Sequence, residues 1–453
     1  MTIFFATMIR ALLVFVAMIL AVPSTGSAQT DAAKAHGRSL DALLVGNDLW
    51  KTTPTDFSRN LSTAGIQWLD ADKTRARFFG GDLNLIGGKL AVIEANCDFK
   101  DGMLAAISIS LYNRGDSATA TESAVEFEQK VAGIKDALSG LLAVAPAERG
   151  RDQSSVVKAS GLVWNKAPTV YLLEYSAQKK TSKQAFRPEF IRLRVAPLPP
   201  QMALSGAAAA DRNKPVAKAS LAANIGRDSN GDVVIKSVPM VDQGPKGYCV
   251  VATAERVFRY LGLNVDQHEM AAVANSSAAG GTSPEKMVDA LKKLTGRLKV
   301  HVRELMGCNI SDFKRMIADY NRTAKHDKKP EINLNERQTI DIGEIYSRFD
   351  PDTLKASRAA PGKATFTKFQ RMVEDTINRG VPVMWGVELG IYPETERNSQ
   401  SKGGHMRLII GYNLKTSEIL FSDSWGAQHA LKRMPMDNAC AMTTGMYYLE
   451  PIQ

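Results

Sequence analysis

The chain has 453 residues, 44% hydrophobic and 23% charged, enough for two or three ordinary globular cores and too apolar for a disordered chain. The net charge of +10 is spread thinly: no dense Arg/Lys tract with interleaved aromatics occurs, which excludes an obvious nucleic-acid binder and leaves anionic partners such as envelope polymers open. The four cysteines fit no metal motif, so neither a metal nor a cofactor is expected.

In chain order, Arg10 precedes an apolar run over residues 11–22, and Gly26-Ser27-Ala28 offers the small residues after which signal peptidase cuts. The expectation is a signal peptide over residues 1–28, a mature chain from Gln29, and a periplasmic or secreted, oxidising destination. The alternative is an uncleaved N-terminal anchor. No later run of about twenty apolar residues follows, so the membrane is met only through this segment.

Residues 29–200 read as a separate, smaller α+β domain of unassigned role. Strand-like runs at 90–99 and 103–113 flank Lys100-Asp101-Gly102, a hairpin signal. A helix is expected over about 121–142, with Val125, Val131, Ile134, Leu138 and Leu141 as its stripe, and strands near 160–165, 169–177 and 189–197. Cys97 sits inside a strand pattern, as a small buried hydrophobe would. The domain concentrates no catalytic groups; a binding module, an inhibitory pro-segment and a structural partner all remain open. Residues 197–220 are rich in Pro, Ala and polar residues without periodicity, and a linker is placed at 201–225.

The chemistry gathers in residues 226–453. Gln243 stands six residues before Cys249, with Gly244 and Gly247 between them. Val250, Val251, Ala254, Val257, Phe258 and Leu261 then recur at helical spacing up to Gly262. Cys249 thus lies at a helix N-terminus, where free N–H groups and the macrodipole favour a thiolate, the reactive form. Gln243 offers a neutral donor for an oxyanion. Far along the chain, His405 heads an apolar, β-like run, and Asp423 ends another. Nucleophile, base and orienting carboxylate are the composition of an acyl-transfer site.

Helices are expected at 267–274, after Ser283-Pro284, from Ser311 and around Phe366–Ile377, with residues 324–363 as an insertion or long loop. Strands are expected at 298–302, 381–389, 405–412, 418–425 and 445–451. Helices first and strands later make this half α+β.

The pattern Gln-Gly-x-x-Gly-x-Cys, Gly-Gly-His before an aliphatic strand, then Ser-Trp-Gly resembles the papain-like cysteine peptidases over roughly residues 230–450. The resemblance implies a papain-like domain, helices then antiparallel sheet, with Cys249 as nucleophile, His405 as general base, Gln243 in the oxyanion hole and Trp425 shielding the histidine. Asp423 stands where papain has asparagine. That aspartate and the stretch after the cysteine look closest to the bacterial double-glycine-peptidase-like branch. Val250 replaces papain's tryptophan, and papain's nearby disulfide cysteine is missing.

The expected activity is hydrolysis of peptide or protein substrates by an exported cysteine peptidase. The rivals are a related acyl-transfer enzyme, such as a transglutaminase or cell-wall amidohydrolase, and a non-catalytic binding protein that keeps the fold. His429, six residues past Asp423, is the rival base. His36, His268, His301 and His326 lie in polar contexts and read as solvated, and the pairing of Cys308 with Cys440 is left open.

Overall fold

Two antiparallel eight-stranded sheets, each with its own apolar core, organise the computed structural model. It describes residues 37–452 apart from 47, 115, 117–122, 150–158, 181–184, 199–214, 246, 266, 275–287, 290, 293–297, 308–309, 335–341, 395–399 and 401. The signal-peptide reading, His36, Cys308, the Ser283-Pro284 helix start and most of the linker fall outside these residues. Among the described residues no helix is long and apolar enough to cross a membrane.

The first sheet is built from β1 (Gln67–Trp68), β2 (Arg75–Phe79), β5 (Glu94–Lys100), β6 (Met103–Asn113), β7 (Ala147–Arg149), β8 (Ser160–Lys166), β9 (Thr169–Gln178) and β10 (Arg187–Pro197), in the order β1-β2-β5-β6-β10-β9-β8-β7. β3 (Asn84–Leu85) and β4 (Leu90–Ala91) form a separate hairpin, so the expected strand over 90–99 is two pieces. The β5–β6 turn forms where expected. Asp101 and Gly102 both have positive φ (52° and 75°), which suits a tight two-residue hairpin between the paired Lys100 and Met103.

Before this sheet lies α1 (Pro54–Asn60). Against it packs α2 (Ala124–Leu142), begun by Ser123, whose hydroxyl accepts from the Glu126 N–H. Its buried stripe is Phe127, Val131, Ile134, Leu138 and Leu142. Val125, expected inside, is 61% exposed; two residues before Phe127, it projects from nearly the opposite face. Cys97 is fully buried, and burial holds its thiol well above the ordinary range.

The second half comprises β11 (Ile225–Arg227), β12 (Asp232–Ile235), α3 (Cys249–Tyr260), α4 (Gln267–Ala274), β13 (Val300–Met306), α5 (Ile310–His326), α6 (Ile342–Arg348), α7 (Pro351–Arg358), α8 (Ala364–Ile377), β14 (Val383–Leu389), β15 (Gly403–Asn413), β16 (Glu418–Ser422), β17 (Lys432–Pro435), α9 (Met436–Met442) and β18 (Thr443–Pro451). The strand order is β11-β12-β15-β14-β18-β13, with β16 also on β15 and β17 on β16. Leu221, in the 3-10 turn Lys218–Asn224, already belongs to this core.

Three local expectations change. Residues 324–363 are not a long loop. α5 runs on to His326, and α6 and α7 follow. Asp350 caps α7, accepting from the Thr353 N–H, with Pro351 at its first position. These helices are seven and eight residues long, too short for periodicity to show. His268 is buried against the Tyr248 ring rather than solvated. α3 is buried on nearly every side, Glu255 and Arg256 included, rather than along one face.

The halves meet through buried and partly buried charge. Arg192 pairs with Glu269 at 2.7 Å, Arg75 with Glu255 at 3.4 Å, Arg259 with Asp98 at 3.6 Å and Arg77 with Asp242 at 3.0 Å. For the pairs buried on both sides, Arg192–Glu269 and Arg75–Glu255, removing one partner costs about 3–5 kcal/mol, because the other is left charged and dry. Gly37–Gln453 accordingly forms one compact unit.

Candidate active site

Cys249 is the first residue of α3 and is half-buried. The other described thiols are sealed in cores: Cys440 is a free, buried cysteine whose pKa burial pushes up to about 11. Among the described cysteines only Cys249 combines partial access with a helix start.

The loop before α3 is held at both ends. Gly244 sits at φ +69° and its N–H donates to Asp242 Oδ1 at 2.8 Å. Gln243, 2% exposed, donates its backbone N–H to the Ser424 carbonyl at 2.9 Å. Its Oε1 accepts from Ser424 Oγ at 2.7 Å and its Nε2 donates to Gln400 Oε1 at 2.8 Å. Ser424 therefore anchors one end of the amide and Gln400 the other.

His405 enters from β15, opposite Val387 of β14. Its Nε2 lies 2.6 Å from Asp423 Oδ1, just past the end of β16, and Cys249 stands near enough to the ring to act on its charge. Trp425 stacks on the ring with centroids 4.6 Å apart and planes 20° from parallel. Burial alone would push the His405 pKa down; the Asp423 charge and hydrogen bond, then Cys249, overcome it and raise the pKa to about 9. Asp423 is fully buried. Burial would raise its pKa, but His405 and Arg407 hold the carboxyl well below the usual carboxylate range.

Cys249, His405, Asp423 and Gln243 thus converge, with Ser424 joining the glutamine to the aspartate. His429 lies elsewhere in the cluster: its carbonyl accepts from the Asp423 N–H, and its ring meets Trp425 edge-on at 5.5 Å.

Several members of the cluster escaped the sequence reading. Arg407, 1% exposed, donates Nε to Asp423 Oδ2 at 2.8 Å and grips Glu394 with both terminal nitrogens at 2.9 Å. Arg256, on the nucleophile helix, donates to the Asp423 carbonyl at 2.9 Å, to Ser422 Oγ at 2.5 Å and to the Pro239 carbonyl at 2.8 Å. An arginine inside an otherwise apolar strand or helix was the available signal, since buried guanidinium must be paired. Glu394 and Gln400 carried none.

Residues 235–449 match the Peptidase_C39 like family. No curated relative matches the chain. Among solved structures, similarity extends to Xylellain, a cysteine protease from Xylella fastidiosa, at 13% identity and a TM-score of 0.28, over 53% of this chain and 91% of that one. With its helices, antiparallel sheet and family match, the C-terminal half of this chain is a papain-like cysteine peptidase domain.

Proposed function

We propose that this peptidase hydrolyses peptide bonds through Cys249, His405 and Asp423, with Gln243 as oxyanion donor, and that it acts outside the cytoplasm, in the periplasm or after secretion. The observation that carries the reading is a buried imidazole bonded to a buried carboxylate, with the half-buried Cys249 near enough to raise the imidazole's pKa. Asp423 takes the Nε2 side, which leaves Nδ1 for the thiol. At neutral pH His405 already holds the proton that Cys249 gives up, and the thiolate attacks the amide carbonyl, forming the C–S bond. Gln243 Nε2 and a backbone N–H at the start of α3 receive the oxyanion. The C–N bond breaks as His405 gives its proton to the leaving amine. Water, deprotonated by His405, then hydrolyses the thioester and frees the thiol. Asp423 stays ionised, orienting the ring and stabilising imidazolium. The export proposal rests on the signal-like residues 1–28.

The test is product analysis on a peptide library. Hydrolysis yields new free amino termini, whereas isopeptide cross-links or cut peptidoglycan stems would replace this reading with acyl transfer or cell-wall amidolysis. In the same assay Gln243→Ala should lower kcat by about 100- to 1,000-fold, the usual effect of one oxyanion donor. Unchanged turnover would leave Gln243 only a structural role.

A further inference from the structure

We infer that Arg77, on the N-terminal sheet, is a positioning residue for the oxyanion donor Gln243, which makes that sheet a working part of the peptidase rather than a removable pro-segment. The inference rests on the Gln243 reading above.

β2 runs Arg-Ala-Arg-Phe-Phe. Ala76 and Phe78 point into the N-terminal core, so Arg75 and Arg77 share the other face. That face meets the peptidase half. Arg77 is 2% exposed; Nη1 lies 3.0 Å from Asp242 Oδ2 and Nη2 lies 3.2 Å from Glu94 Oε2. Asp242 is the residue before Gln243. Its other carboxylate oxygen accepts from the Gly244 N–H, so this one side chain spans the glutamine.

Space is as tight as charge. A Cβ on Gly244 would lie 3.3 Å from Arg77 Nη2, and one on Gly426, next to Trp425, would lie 3.2 Å from Asp242 Oδ2. Two strand positions away, Arg75 reaches the Met240 carbonyl and Glu255 of the nucleophile helix, each at 3.4 Å. An oxyanion donor must be held closely, since a displacement of about 1 Å can cost on the order of 100-fold. The bridge from Arg77 through Asp242 places that restraint in the other half of the chain.

The test uses the full chain and cuts the bridge from both ends. Asp242→Asn keeps an acceptor for Gly244 and removes the charge. Arg77→Met is combined with Glu94→Gln, so that no buried carboxylate is stranded. Either variant should lower kcat by about 10- to 100-fold with KM nearly unchanged. Alkylation of Cys249 by iodoacetamide, which forms no oxyanion, should stay within about twofold of wild type. In a Gln243→Ala background Asp242→Asn should cost little more, because both act on the same donor.

Full turnover in folded Asp242→Asn, or alkylation falling in step with kcat, overturns the inference; the second result would mean the bridge props the whole site. Additive losses with Gln243→Ala do the same. If Gln243→Ala itself leaves turnover intact, the underlying reading fails, and that result does not depend on the bridge variants.

Discussion

Cys249→Ala should abolish peptide hydrolysis, with a loss in kcat of about 10⁴-fold or more, in a protein that stays folded. The magnitude follows from the chemistry: without the thiolate there is no thioester, and neither of the other described thiols replaces it. Cys440 and Cys97 are buried thiols with pKa values raised by desolvation. Retention of the fold follows from position. Cys249 is half-buried at a helix start, and Val250, Val251, Ala254, Val257 and Phe258 still anchor α3 in the core. Activity surviving in a folded Cys249→Ala protein, measured against a wild type of matched thermal stability, would remove the nucleophile assignment.

His405→Ala should come second, with a loss of about 10³–10⁴-fold or more, and Asp423→Ala should cost less than His405→Ala, since the carboxylate orients while the imidazole transfers the proton. The pH profile separates the roles. His405 stays protonated up to about pH 9, held there by Asp423 and Cys249 against burial. The acid that protonates the leaving amine is therefore available through neutral pH and is lost as pH rises through about 9. In Asp423→Ala that alkaline limb should move down toward the ordinary histidine value of 6.5.

Stability has the same sign. A folded pKa raised above the unfolded one gives stabilisation that is full below about 6.5 and lost as pH rises through about 9. The depressed Asp423 contributes above the ordinary 3.8 and loses its contribution as pH falls through its lowered value. Wild type should thus exceed Asp423→Ala most between about pH 4 and 6.5. A dead His429→Ala beside an active His405→Ala would reverse the choice of base.

The readable part of this protein was its local chemistry. Gln243, Cys249, His405 and Asp423 each stand at an element boundary marked by glycines or by the end of an apolar run, and those marks are local. The α3 helix, the β5–β6 hairpin and strands β14, β15 and β18 were legible for the same reason. What could not be read depends on contacts far apart in sequence. Arg407 and Arg256 take their roles from Asp423 and Ser422, which lie beside them only in the folded chain. The Arg75 partner of Glu255 lies on the N-terminal sheet, 180 residues earlier, where no local pattern could point to it. The short helices α6 and α7 hid because one or two turns carry too few apolar positions, although Asp350-Pro351 announced the second.

The central claim is that Cys249 becomes acylated by the substrate. Rapid quench of the wild-type enzyme with a peptide thioester or activated ester, followed by intact mass and fragment mapping, measures this directly. The account predicts a transient adduct of the acyl group alone, on the fragment carrying Cys249, that disappears as free acid forms and is absent in Cys249→Ala. Turnover with the adduct on another residue, or an adduct that persists unchanged in Cys249→Ala, would contradict it.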